Sequence, residues 1–269
     1  MAVSGRDGYY KWRNREPSNQ LLNKLIVIQA MLQTSNQFKQ RYGAPRLARQ
    51  LNKEDVECSV NYIAKLLAEC GLKARNGKRF KYPAAGKKVG NVSDNLLDRE
   101  FYAEKPNEKW VSDITYIRTE NGFVYLAVVM DLFSRKIIGW AMDDSMETEL
   151  ISDAFTMAVK NRKTEPGLLL HSDQGSQYCS GEYLQLLGDH GVKSSMSRKG
   201  NCWDNAAMES FFSRLKVESL FSKSFKTLKD AYSCVFEYIE MFYNSIRMHS
   251  ANYYLSPNEI EEGYQEMCA

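Results

Sequence analysis

Histidine is scarce: only His171, His190 and His249 occur in 269 residues, and the six cysteines, Cys58, Cys70, Cys179, Cys202, Cys234 and Cys268, form no Cys-x-x-Cys pair. These residues offer no credible zinc constellation, so the thiols are expected to be reduced and mostly buried. No apolar stretch approaches the roughly 20 residues of a membrane span. The opening residues, Met1 to Tyr10, lack the basic-then-apolar pattern of a signal peptide. The chain is therefore expected to be cytoplasmic, with no membrane partner. Net charge is also slight, at +3.

What charge there is divides unevenly. Residues 1–100 hold 19 Lys+Arg against 9 Asp+Glu, whereas residues 101–269 hold 17 against 24. A basic front and an acidic rear fit a nucleic-acid clamp joined to a carboxylate site that recruits metal. The front contains three short helical patterns. Leu21 to Gln33 has apolar residues at near-helical spacing, Pro45 suits the first turn of a second helix, and Ser59 caps a third from Val60 to Glu69 that Gly71 stops. Together they resemble a helix-turn-helix over residues 1–72, with a purely structural three-helix bundle as the alternative. Residues 73–103 read as a basic linker, with Phe80 and Tyr82 interleaved among its cations. It is suited to tracking phosphates or simply to solubility. Arg46 and Arg49 of the second helix, with Lys78, Arg79 and Lys81 of the linker, are the candidate DNA contacts.

From Lys109 the pattern becomes that of a sheet. Trp110 to Arg118 and Phe123 to Leu132 flank an Asn121-Gly122 turn, a strong hairpin signal, and Arg135 to Met142 adds a third strand. A helix over Glu147 to Lys160, a strand over Gly167 to Leu170, a helix over Gly181 to His190 and a strand over Val192 to Met196 follow, giving the order βββαβαβα. That order implies an α/β, ribonuclease-H-like core with a mixed five-stranded sheet, spanning residues 104–222. A helical extension occupies residues 223–269. Within it, Phe225 to Arg247 reads as one long helix whose aromatics Phe236, Tyr238, Phe242 and Tyr243 serve core packing rather than base stacking.

Three carboxylates stand out in this core. Asp113 lies in an apolar-rich strand, Asp173 follows the run Leu168-Leu169-Leu170, and Glu209 opens a helix that Asp204 or Asn205 is placed to cap, with thirty-five residues between Asp173 and Glu209. An unpaired carboxylate inside a strand is costly. Oxygen ligands suit hard cations such as Mg²⁺, and two such ions can serve both the attacking and the leaving oxygen of a displacement at phosphorus. Asp131, at the end of the second strand, reads as a turn residue, with a fourth ligand as the alternative. Lys216, seven residues after Glu209, shares its helical face.

The spacing and the surrounding words HSDQGSQY, SRKGNCWDNAAMESFFSRLKVE and YNSIRMHSANYYLSPNE resemble the DDE transposases and retroviral integrases. More narrowly, they are similar to the downstream-frame transposases of the bacterial insertion-sequence family whose gene is split across two frames, the insertion sequence three type. The resemblance runs from about Tyr9 to Glu259 and departs from retroviral integrases in lacking their amino-terminal zinc module. It implies metal-dependent cleavage at insertion-element ends followed by 3′-hydroxyl strand transfer. Asp113, Asp173 and Glu209 would be catalytic and would bind two Mg²⁺ ions, with Mn²⁺ as a possible substitute. Lys216 would touch DNA beside the site, an ordinary surface lysine being the alternative. The implied partners are element ends and target DNA, the upstream-frame product or a fusion with it, and further copies of the chain on DNA in the nucleoid. Nothing ahead of Tyr9 resembles the upstream module. A structure-specific nuclease of the same fold and a DNA-binding inhibitor of a longer transposase are the alternative readings.

Overall fold

The computed structural model describes residues 15–75, 91–221 and 223–268, which belong to two compact units, Met1–Asn76 and Gly77–Ala269. The first unit contains α1 (Asn19–Gln37), α2 (Ala44–Lys53) and α3 (Val60–Glu69). Ser18 Oγ accepts from Leu21 N and Ser59 Oγ from Tyr62 N, which fixes where α1 and α3 begin. Pro45 sits in the first turn of α2, where its missing N–H costs nothing. Gly71, at φ +67°, lets the chain turn away after α3. Met31, Leu47, Leu51, Ile63 and Leu66 are buried, so each helix directs an apolar stripe inward. α1 runs past its expected end at Gln33 because Thr34 and Ser35 continue its buried side.

The second unit is built on a five-stranded sheet. β1 (Lys109–Thr119), β2 (Gly122–Asp131) and β3 (Ile137–Asp143) form an antiparallel meander, and the β1–β2 hairpin turns at Gly122, whose φ of +128° suits glycine. β4 (Leu169–Ser172) and β5 (Lys193–Met196) add parallel to β1, giving the order β3-β2-β1-β4-β5 with β1 in the middle. Between these strands come α4 (Thr148–Asn161) and α5 (Gly181–Asp189). Trp110, Val129, Leu150, Ala154, Phe155 and Leu170 are buried in one apolar cluster between the sheet and these helices. Gly139 allows the close approach: a Cβ there would collide with the backbone of Ala154 and Ala158 on α4.

The stretch expected as a uniform linker over 73–103 is divided. Residues 76–90, including Lys78, Arg79 and Lys81, lie outside the described residues. From residue 91 the chain lies along β5: Leu96 N and Leu97 N donate to Ser195 Oγ, Met196 N donates to Asp94 O, and Leu97 and Ala103 are buried. Residues 94–97, ahead of the boundary expected near Ala103, thus hydrogen-bond to β5.

The long helix expected over Phe225 to Arg247 is interrupted. A capping box between Thr227 and Asp230 starts α7 at Leu228, α7 ends at Phe236, and Glu237–Tyr243 widens into π-helical turns. The wider turn brings Tyr238, Ile239, Phe242 and Tyr243 all into the core, whereas Phe236 remains exposed, contrary to its expected packing role. α8 (Pro257–Cys268) closes the unit, with Glu261 receiving Ser134 Oγ, Lys136 and Arg162. Among the described residues, no helix is long and apolar enough to cross a membrane.

Candidate active site

Asp113 lies on β1, opposite Val128 of β2, with its side chain half-buried and its Oδ1 accepting from Ile114 N at 2.8 Å. On the other side of β1, Val111 is level with His171 of β4. That pairing ends there; two residues further on stand Asp113 in β1 and, just beyond the end of β4, Asp173, whose charge acts on Asp113. Asp173 has just left β4 and reaches solvent, its Oδ1 accepting from Gly175 N at 2.9 Å. Glu209 sits in the first turn of α6 (Ala206–Leu215), where the helix N-terminus favours an anion.

Electrostatics links the three. Burial and then the Asp173 charge push Asp113 well above the usual carboxylate range; the Ile114 N–H opposes this, Glu209 adds to it, and Lys216 opposes it. Asp173 is raised too, by desolvation against the Gly175 hydrogen bond. Among the described residues, no His, Cys, Asp and Glu side chains are already drawn together into a metal-ready cluster. Like charges brought this near repel, and an oppositely charged partner relieves that repulsion.

Lys216 follows α6 as the first residue of a π-helical turn, Lys216–Leu220. It is no ordinary surface lysine, being 6% exposed with Nζ 5.0 Å from the centre of the Tyr116 ring. Burial lowers its pKa while the Asp113 charge opposes the shift. Behind that turn, Arg247 forms a bidentate pair with Glu218, through Nε at 2.8 Å and Nη2 at 2.7 Å, and Tyr238 OH adds a third bond.

Neither residue expected to cap α6 does so with its side chain. Asp204 is instead buried as the acceptor for Arg198 N, Nε and Nη2, Arg99 Nε and Asn95 Nδ2, and this set, led by the Arg198 side chain, holds it well below the usual carboxylate range. Asn205 Nδ2 donates to Ser112 O at 3.1 Å, next to Asp113, and its buried Oδ1 has no hydrogen-bond partner. Competition from Arg198 six residues back, from the distant Arg99 and from a strand carbonyl overrode the capping signal.

Asp131 lies three residue pairs along the β1–β2 ladder from Asp113, opposite Trp110. Its Oδ1 accepts from Phe133 N at 3.0 Å, the local bonding of a turn residue, and its Oδ2 from Asn107 N at 2.9 Å, on the segment ahead of β1. On α2, Arg46 is half-buried over the Tyr42 ring and Arg49 is exposed. Tyr116 and Trp203 were not singled out from the sequence. Tyr116 carried no signal beyond its strand pattern, whereas Trp203 sits within the word that carries Glu209.

Three family models match the chain: an HTH-like domain over residues 22–80 and two integrase core domain models over residues 103–202 and 209–263. Transposase InsF for insertion sequence IS3A of Escherichia coli (strain K12) is 42% identical over 259 residues, covering 95% of this chain and 90% of that protein. The transposase for insertion sequence element IS904 of Lactococcus lactis subsp. lactis (strain IL1403) is 41% identical over 250 residues, covering 93% and 98%. Among solved structures, a chain of the simian T-cell lymphotropic virus intasome in complex with PP2A regulatory subunit B56 gamma overlaps 86% of this chain and 73% of its own at 14% identity, with a TM-score of 0.49.

Proposed function

The chain belongs to the IS3-type insertion-sequence transposases, and from that premise we propose that it cuts DNA at the ends of its element and joins each freed 3′-hydroxyl to another phosphodiester. Asp113, Asp173 and Glu209 hold two divalent cations for this reaction, Mg²⁺ in the first instance. What supports the reading is the 42% identity with the IS3A transposase over 95% of the chain, together with the place of Asp113 on the central strand β1, where the charges of Asp173 and Glu209 act on it. Three oxygen-donor side chains of one sign match the preference of a hard cation. The buried, unpartnered Asn205 Oδ1 leaves a further polar atom beside them.

When bound, such cations supply polarisation of the phosphodiester and a lower pKa for the attacking oxygen. The chain's own groups do the rest. β1 carries Asp113, the end of β4 leads into Asp173, and α6 carries Glu209 after a turn anchored by Asp204 and Asn205. Lys216 offsets the negative charge near Asp113 and contacts a phosphate of the incoming DNA. Arg46 and Arg49, with Lys78, Arg79 and Lys81, contact the phosphate backbone further along. The upstream-frame product supplies recognition of the element ends, and copies of the chain assemble on them in the nucleoid. Mn²⁺ supports activity, and Ca²⁺ binds with little turnover because its coordination is looser.

The test is incubation of the purified chain with labelled element-end DNA and Mg²⁺, with and without the upstream-frame product. Nicking followed by joined product is expected. Hydrolysis with no joining would place the chain among nucleases of this fold, and no reaction under either condition would remove the proposal.

A further inference from the structure

Of the four tryptophans in the sequence, Trp110 and Trp140 are buried, Trp12 lies outside the described residues, and Trp203 is 69% exposed. An indole this open to water offers a large, flat apolar face to a ligand. Its backbone, moreover, is held on both sides. Asn201 N donates to Arg198 O and Asp204 N to Asn201 O, closing the turn, while the next two side chains, Asp204 and Asn205, are buried and bonded to Arg198, Arg99, Asn95 and the Ser112 carbonyl. The turn is thus fixed to β1 one residue from Asp113, and Trp203 is the side chain it leaves outside. No other aromatic ring stacks on it among the described residues.

Trp203 precedes Glu209 by six residues of 3₁₀ and α-helix, so its Cα lies about 9–12 Å from that of Glu209 along the helix direction. Lys199, in the same turn region, is exposed, whereas the Arg198 guanidinium is held by Asp204 and Asp98. A rigid exposed aromatic face with the exposed Lys199 four residues before it, on a turn tied to the strand of Asp113, has the composition of a single-strand nucleic-acid platform: a phosphate meets the lysine and a base stacks on the ring. Trp brings this contact with few rotatable bonds to freeze.

We propose that Trp203 stacks on an unpaired nucleobase next to the phosphodiester that the active site processes, and so holds the DNA end in register with Asp113, Asp173 and Glu209. The proposal rests on the transposase reading above and adds a binding subsite to it. Its ligand is a nucleobase displaced from the duplex end, recognised by its π-face rather than by its hydrogen-bonding edge.

The test places 2-aminopurine, one position at a time, through the terminal nucleotides of an element-end duplex, and measures its fluorescence on binding to the full chain in Ca²⁺. A single position near the scissile phosphate should change sharply with the wild type and with Trp203→Phe, and not with Trp203→Ala. Trp203→Ala should bind the element end about tenfold more weakly, or ~1.4 kcal/mol, and bind duplex lacking an end as the wild type does. In Mg²⁺ its single-turnover cleavage should fall at subsaturating DNA and approach the wild-type rate at saturation. A wild type that cleaves the end while Trp203→Ala gives the same fluorescence change and affinity would overturn the platform and leave the transposase reading intact. A shift in the oligomeric state of Trp203→Ala without DNA, with the fluorescence change retained, would assign the indole to a second copy of the chain instead. If the wild type cleaves no end under any condition, the underlying reading fails and the platform falls with it.

Discussion

Substituting Asp113 by Asn, Asp173 by Asn or Glu209 by Gln keeps each side chain's shape and removes the charge that a dication would need. Each variant should lose cleavage and strand transfer while retaining duplex DNA binding, and any pair should be no worse than a single one, because the three act as a unit. Single-turnover cleavage of nicked and un-nicked element ends measures this; a near-normal rate in one variant would exclude that residue from the site. Lys216→Ala leaves the carboxylates in place, so it should weaken engagement of the DNA end by roughly 1–3 kcal/mol without altering metal binding. A wild-type strand-transfer rate at subsaturating DNA would contradict that role. Asp131 gives a stability prediction of opposite origin. Burial raises its pKa from 3.8 to about 6 in the folded chain, despite the Asn107 and Phe133 N–H bonds. The folded state therefore holds the proton more tightly than the unfolded chain does. The associated stabilisation is complete below about pH 4 and lost as pH rises through 6, where ionising the buried group costs about 3 kcal/mol. Asp131→Asn should remove this contribution from the pH 4–7 dependence of denaturant midpoints, leaving the part owed to Asp113 and Asp173, and should leave cleavage close to normal. An unchanged slope would locate the titration elsewhere.

Two packing arrangements hold the site's elements in place. α4 lies directly on β3 at Gly139, with Ala154 and Ala158 facing it. Gly139→Ala would force the helix from the sheet, and overpacking of this kind costs about 1–3 kcal/mol or more. The expected result is a lower denaturant midpoint with an unchanged m-value; a neutral substitution would mean that the helix yields easily. On the other side, the Glu218–Arg247 pair joins the π-helical turn after α6 to the end of the aromatic-rich segment, and both side chains are almost fully buried. A buried pair contributes little net stability over an apolar filling, yet removing one partner strands the other charge. The same pair sits two residues from Lys216, so the turn that presents this lysine depends on a residue twenty-nine positions downstream of Glu218. Helical periodicity alone carries no trace of that dependence.

Across the whole chain, charge and chemistry are separated. The first hundred residues carry the cationic excess, and the carboxylate site lies in the acidic remainder. Residues 1–100 should therefore bind duplex DNA with steep salt dependence and little sequence preference, and neutralising Arg46 or Arg49 should reduce the slope of log K against log salt by about one each. Titration of duplex DNA at several salt concentrations measures it. Salt-independent binding, or none at low salt, would contradict a phosphate clamp.

The order of elements was legible in the amino acids because it rests on local physics. Alternation and the Asn121-Gly122 turn marked the β1–β2 hairpin, Ser59 and Gly71 marked the ends of α3, and the apolar run ahead of Asp173 marked β4. Asp113 was conspicuous as well, since a charged residue inside an apolar strand is costly; Asp173 and Glu209 stood out through their spacing and the words around them. What tertiary structure alone decided involves partners distant in sequence. The parallel pairing of β1 with β4, which ends at Val111 and His171, brings the charge of Asp173 to act on Asp113. Asp204 became a buried anchor rather than a helix cap because Arg99 and Arg198 converge on it. The expected long helix widened at Glu237 because four aromatic and aliphatic side chains all had to reach one core. Burial of Lys216 and exposure of Trp203 were settled in the same way: local propensity assigns a residue to a helix or a turn, and only the packing of distant segments determines which of its neighbours exclude water.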